Sequence, residues 1–144
     1  MASFIALSSS LSPNLATSLG QSDLKPFVAT ISDPELVTAL TLRDLVIGKA
    51  KAAEVDEELA LKIAFCESAF RQFGKNSKPL RGLHNPNDVG IFQINEDFHA
   101  KKSQTLGYDI YSTEGNIDYA MYLLKNQGGK PWNASRPCWG ERTA

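Results

Sequence analysis

"DVGIFQIN", residues 88–95, is the stretch on which the fold turns. Val89, Ile91, Phe92 and Ile94 are large and apolar, as in a buried segment. Asp88, Gln93 and Asn95 interrupt them, and an apolar interior tolerates such groups only when they are hydrogen-bonded. Either the three polar side chains are internal hydrogen-bonders, or the segment forms one wall of a cleft and turns them toward a ligand.

Working outward, the flanking sequence is helical with one polar insertion. "VDEELALKIAFCESAFRQF" (55–73) predicts a helix: Asp56 can cap it, and Glu57 and Glu58 fall where the helix dipole favours acids. Leu59, Ile63, Cys66 and Phe70 recur at spacings of 4, 3 and 4 on one face, and Gly74 is the natural stop. "SDPELVTALTLRDLVIGKAKAAEV" (32–55) predicts an earlier helix, capped by Ser32 or Asp33, with Pro34 at its first position. Its apolar pattern runs through Leu36, Leu40 and Leu45 to Ile47, with Gly48 as a break. "GYDIYSTEGNIDYAMYLLKNQGG" (107–129) predicts a third, starting at Thr113 or Gly115, striped by Ile117, Met121 and Leu124, and ended by Gly128 and Gly129. Between them "KNSKPLRGLHNPND" (75–88) is turn-rich, and "DVGIFQIN" reads as a strand running into a helix. The fold class expected is mainly α, of the α+β kind. Residues 1–40 read as a Ser-rich arm and 41–144 as one folded domain.

The totals fit that picture. A chain of 144 residues is long enough for a single core, and 42% apolar with 22% charged residues is ordinary for a globular protein. Fifteen basic against sixteen acidic residues leave a net charge of −1, which offers no footprint for nucleic acid. No apolar run approaches the ~18 residues of a membrane span. The first twenty residues lack a basic n-region, and their apolar run, Phe4 to Leu7, is shorter than the ~7–15 residues of a signal core, so no clear signal peptide is expected.

Two residues could do acid–base chemistry. Glu67, between Cys66 and Ser68 with Phe65 and Phe70 nearby, is placed to be partly desolvated, which favours its protonated form. A carboxylic acid that keeps its proton near neutrality can protonate a glycosidic oxygen. Asp88, if ionised, could support an oxocarbenium-like transition state or act as nucleophile. Taken singly, each has a plainer reading: Glu67 as an exposed helix-edge acid, and Asp88 as a turn residue beside Asn85, Pro86 and Asn87. Metal chemistry is poorly supported, because His84 and His99 have no companion cysteines and read as surface residues. No cofactor motif is present, and "NAS" at 133–135 is a glycosylation sequon. Cys66 and Cys138, the only cysteines, could be free thiols or a disulfide, and their count leaves both open.

"AFCESAF" (64–70) followed by "NPNDVGIFQIN" (85–95) resembles the lysozyme-like superfamily, which includes c-type lysozymes, lytic transglycosylases and resuscitation-promoting factors. The resemblance covers roughly residues 41–140 and implies a lysozyme-like fold with a small loop or β-hairpin insertion beside the catalytic helix. Carried over position by position, it puts the catalytic acid at Glu67 and the second carboxylate at Asp88. It places Ser68, Gln93, Asn95, Tyr119 and Trp132 among the sugar-binding residues. A cysteine directly before the catalytic glutamate, paired with one near the domain's end, resembles resuscitation-promoting factors and implies a Cys66–Cys138 disulfide. The chain departs from c-type lysozymes in lacking their several disulfides, and from many soluble transglycosylases in carrying an acid at Asp88.

The function implied is cleavage of the β-1,4 bond between N-acetylmuramic acid and N-acetylglucosamine, by a lytic transglycosylase or a lysozyme. The expected partner is the peptidoglycan glycan strand, met outside the cytoplasm by a monomer needing no metal or cofactor. The alternative is a non-catalytic glycan-binding protein on the same fold. Such proteins usually lose the acid, whereas this sequence keeps both Glu67 and Asp88.

Overall fold

The computed structural model describes residues 33–140, and the structural statements below concern those residues. Residues 1–32 of the expected arm lie outside them, and the first helix runs through position 40.

Helix α1 (Pro34–Ala53) is capped by Asp33, whose carboxylate accepts from the N–H groups of Glu35 and Leu36 at 2.9 and 3.4 Å. It does not break at Gly48. A glycine inside a helix costs only about 1 kcal/mol relative to alanine, which packing overrides. The inward face also differs from the expected stripe: Leu36 and Leu40 are exposed, and the buried face is built from Val46 and Ala50 with Leu42, Leu45 and Ala53 beside them. That face packs on helices α2 (Glu57–Ser68) and α4 (Thr113–Gln127).

Helix α2 starts as expected, with Asp56 accepting from the Leu59 N–H at 3.0 Å. It ends at Ser68, well short of Gly74, because Ala69 and Phe70 both turn left-handed (φ 51° and 59°). Such a conformation costs a non-glycine residue about 1–2 kcal/mol. The turn brings Gln72 to a fully buried position, where its amide accepts from the Ile91 N–H at 2.9 Å and donates to the Tyr111 carbonyl at 3.1 Å.

The opening stretch forms a minimal antiparallel hairpin. Strand β1 (Asp88–Val89) pairs with β2 (Ile94–Asn95), Asp88 facing Asn95 and Val89 facing Ile94. Gly90, at φ 73°, begins the turn, where a Cβ would lie 2.5 Å from the Gln72 side chain, so this position needs glycine on both counts. Helix α3 (Glu96–Thr105) follows directly, giving the expected run from strand into helix. Ser112 caps α4, and Gly128 (φ 60°) ends it. A 3₁₀ turn (Lys130–Ser135) and the short helix α5 (Arg136–Trp139) complete the described chain.

Val89, Ile91, Phe92 and Ile94 are all buried, and the last three join Ile63 of α2 and Ile117, Met121 and Leu124 of α4 in the core. A two-residue hairpin cannot satisfy its own backbone there, so side chains do it. Ser68 donates to the Ile91 carbonyl (2.7 Å), and Trp132 donates its indole N–H to the Phe92 carbonyl (2.7 Å). Asn116, fully buried in α4, accepts from the Phe92 N–H (3.0 Å) and donates to the carbonyls of Val89 (3.0 Å) and Ile110 (2.7 Å). The hairpin is thereby bolted to α2, α4 and the 3₁₀ turn. A Cys66–Cys138 disulfide, with Cα atoms 6.0 Å apart, ties α2 to α5. Among the described residues no helix is long and apolar enough to cross a membrane.

Candidate active site

These fixings create a cleft of about 460 Å³ between the end of α2, the hairpin, α3 and the 3₁₀ turn. Glu67, Asp88, Gln93, Asn95 and Trp132 all line it.

Glu67 occupies the last turn of α2 and is half-buried. Burial pushes its carboxyl above the ordinary value of 4.5; the Ser135 hydroxyl, hydrogen-bonded to Oε1, opposes this, and the negative charge of Asp88 adds to it. Desolvation is the largest of these influences, so the net displacement is upward. Asp88 stands at the start of β1, where Oδ1 accepts from the side-chain amides of Asn95 (2.8 Å) and Asn85 (3.3 Å). Two donors converging on one oxygen fix the carboxylate's orientation.

Gln93 sits at the hairpin turn with φ 47° and donates to the Gly90 carbonyl at 2.8 Å, so it shapes the turn while lining the cleft. Asn95 has its Nδ2 on Asp88, whereas its Oδ1 is a buried acceptor with no partner among the described residues. An orphaned buried acceptor costs about 1–3 kcal/mol and is tolerated chiefly at functional sites. Trp132 is 5% exposed, with its ring 5.9 Å from that of Phe92, and supplies an apolar wall.

Ser68 and Tyr119 are placed differently from what the resemblance implied. Ser68 is buried, donating to the hairpin and accepting from the Arg71 N–H at 3.0 Å, which makes it the clamp at the helix end. Tyr119 is fully buried behind the cleft, its hydroxyl 3.0 Å from His99 Nδ1 and its ring stacked on Tyr122 at 5.7 Å. Neither lines the cleft.

Several cleft residues were not singled out as such by the sequence, among them Ser135, Phe98 and His99. Ser135 touches the acid itself. Phe98, 81% exposed on α3, offers a bare aromatic face. His99, expected at the surface, is half-buried against Tyr119, and burial lowers its imidazole below the usual histidine range. His84, by contrast, is exposed at the cleft's rim as its turn-rich setting suggested. The one available signal for α3 was its start, directly after Asn95, which puts Phe98 and His99 on its first turn.

The transglycosylase SLT domain family matches residues 44–136, a span that runs from α1 through the 3₁₀ turn and contains every cleft residue named above. The chain belongs to the transglycosylase SLT domain family. No curated protein and no solved structure matches. The SLT domain belongs to the lysozyme-like superfamily, and the mainly helical architecture with its two-stranded sheet is that fold. Membership supports, in general, peptidoglycan as substrate and cleavage of lytic transglycosylase type.

Proposed function

We propose that this SLT domain cleaves the β-1,4 bond between N-acetylmuramic acid and N-acetylglucosamine in peptidoglycan, with Glu67 as general acid. The observation that carries this reading is a half-buried carboxyl, pushed above its ordinary value by desolvation, in a cleft shared with a second, oriented carboxylate. Glu67 gives its proton to the glycosidic oxygen as the bond from that oxygen to the sugar's C1 breaks. Asp88, carrying negative charge, stabilises the positive charge that develops on the ring.

The family match favours the transglycosylase outcome. There the Glu67 carboxylate takes the proton of the sugar's own C6 hydroxyl, whose oxygen attacks C1 and closes a 1,6-anhydro ring. Asp88 favours a second reading, hydrolysis, in which water attacks C1 and gives a reducing end. Asn95, whose Nδ2 holds Asp88, lines the same cleft. Phe98 suits the apolar face of a sugar ring. A disulfide forms and persists in oxidising compartments, which fits an enzyme working on the wall outside the cytoplasm.

Mass analysis of fragments released from purified peptidoglycan tests this directly. Anhydro ends, lighter than reducing ends by one water, are expected. Reducing ends alone would establish hydrolysis, and no soluble fragments at all would leave the glycan-binding alternative.

A further inference from the structure

Ser135 entered the sequence reading only as the third residue of a sequon, yet its hydroxyl is hydrogen-bonded directly to Glu67. Its surroundings make the contact a directed one. Ser135 Oγ lies 3.0 Å from the Trp132 carbonyl, a competing acceptor for its single proton. The Trp139 indole N–H approaches both atoms, at 3.0 Å from Ser135 Oγ and 3.0 Å from the Trp132 carbonyl. Occupying the competitor's lone pair and polarising the hydroxyl both steer the serine's proton toward Glu67 Oε1. The disulfide one residue before Glu67 holds α5, and with it Trp139, against α2.

We propose that Ser135, directed by Trp139, is a positioning residue that donates to Glu67 Oε1 and so leaves Oε2 to carry the transferable proton. This rests on the assignment of Glu67 as the acid. When the proton leaves Oε2 for the glycosidic oxygen, the new carboxylate keeps the Ser135 hydrogen bond, which is stronger to the charged form than to the neutral one. Ser135 therefore makes Glu67 a better acid, while burial acts on the carboxyl in the opposite sense. The other titratable groups lining the cleft are Asp88 on β1, His84 in the loop before it and His99 on α3. Of these, Asp88 acts on Glu67 in the opposite sense to Ser135.

The test compares Ser135→Ala and Ser135→Thr in the full chain by two measurements. One is NMR titration of the Glu67 side-chain carboxyl carbon without substrate; the other is the pH profile of peptidoglycan solubilisation. Ser135→Ala should raise the Glu67 titration midpoint and carry the alkaline limb of the activity profile to higher pH. It should also lower kcat on the plateau roughly tenfold, the size of one lost hydrogen bond to a charged group. Ser135→Thr, which keeps the hydroxyl, should restore all three. A packing role alone would lower activity and melting temperature without moving the midpoint.

Should Ser135→Ala fail to fold, Trp139→Phe keeps the ring packing and removes the N–H, and should move the midpoint in the same direction. An unchanged or lowered midpoint in the folded variant overturns the proposal. Wild-type chain that releases no fragments, with the midpoint still raised by Ser135→Ala, would overturn the glycosidase assignment and support the Ser135–Glu67 coupling.

Discussion

Replacing Asn116 with leucine tests whether buried side chains, rather than strand pairing, hold the hairpin that carries Asp88. Asn116 is fully buried and serves three backbone groups: the Phe92 N–H and the carbonyls of Val89 and Ile110. Leucine has similar bulk, so the change removes the hydrogen bonds with little cavity. Each buried group stripped of its partner costs about 1–3 kcal/mol, and the apolar side chain recovers part of the sum through its own burial. The net loss expected is about 4 kcal/mol, a large share of the ~5–15 kcal/mol that stabilises an ordinary domain. At about 4 °C per kcal/mol for a chain of this size, the melting temperature should fall by about 15 °C. Circular dichroism melts at pH 7 with the disulfide intact measure it. Asn126→Leu is the control, since Asn126 is exposed on the same helix and among the described residues bonds only the Tyr122 carbonyl, and it should melt within about 2 °C of wild type. An Asn116→Leu melt within about 3 °C of wild type would refute the clamp and with it the account of how Asp88 is positioned.

Alkylation without reductant, followed by mass analysis, should label neither cysteine; removing both by Cys66→Ser with Cys138→Ser should cost up to about 4 kcal/mol, given a sequence separation of 72 between the bridged positions. Glu67 titrates above its ordinary 4.5 in the folded chain, so the folded state holds that proton more tightly than the unfolded one. Its contribution to stability is complete below about pH 4.5 and is lost as pH rises through the folded value. Glu67→Gln, neutral throughout, should therefore melt above wild type at pH 7, with the gap closing toward pH 4; a gap that widens on acidification would contradict the burial described here. Asp88→Asn removes a charge that raises Glu67, so the alkaline limb of activity should move to lower pH, opposite to the shift expected for Ser135→Ala. Its effect on rate should be severe if Asp88 serves a hydrolase and milder in a transglycosylase.

What could be read from the sequence divides along the range of the interactions involved. The caps Asp33 and Asp56 bind amides two or three residues away, so their helices' starts were visible in local sequence. The end of α2 was not, because Ala69 and Phe70 adopt left-handed backbone to deliver Gln72 to Ile91, a partner 19 residues on. "DVGIFQIN" posed a choice between core and cleft wall, and the hairpin serves as both: its apolar side chains are core, while Asp88, Gln93 and Asn95 line the cleft. The pairing of Glu67 with Asp88 across one cleft was legible because both lie in short motifs. Ser135 was silent, since it meets Glu67 only once α5 is docked on α2, 68 residues away in sequence. Tyr119, two positions from Ile117, gave no local sign that it would pack behind the cleft against His99 and Tyr122.

The proposed glycosidase chemistry depends on Glu67 supplying the proton that breaks the glycan. Glu67→Gln preserves shape and the acceptor that Ser135 addresses, yet it has no transferable acid proton. Incubated with purified peptidoglycan at equal concentration to wild type, and shown by its melting curve to be folded, it should release no soluble fragments above the buffer blank. Fragment release at a rate comparable to wild type would contradict the assignment of Glu67 as the acid.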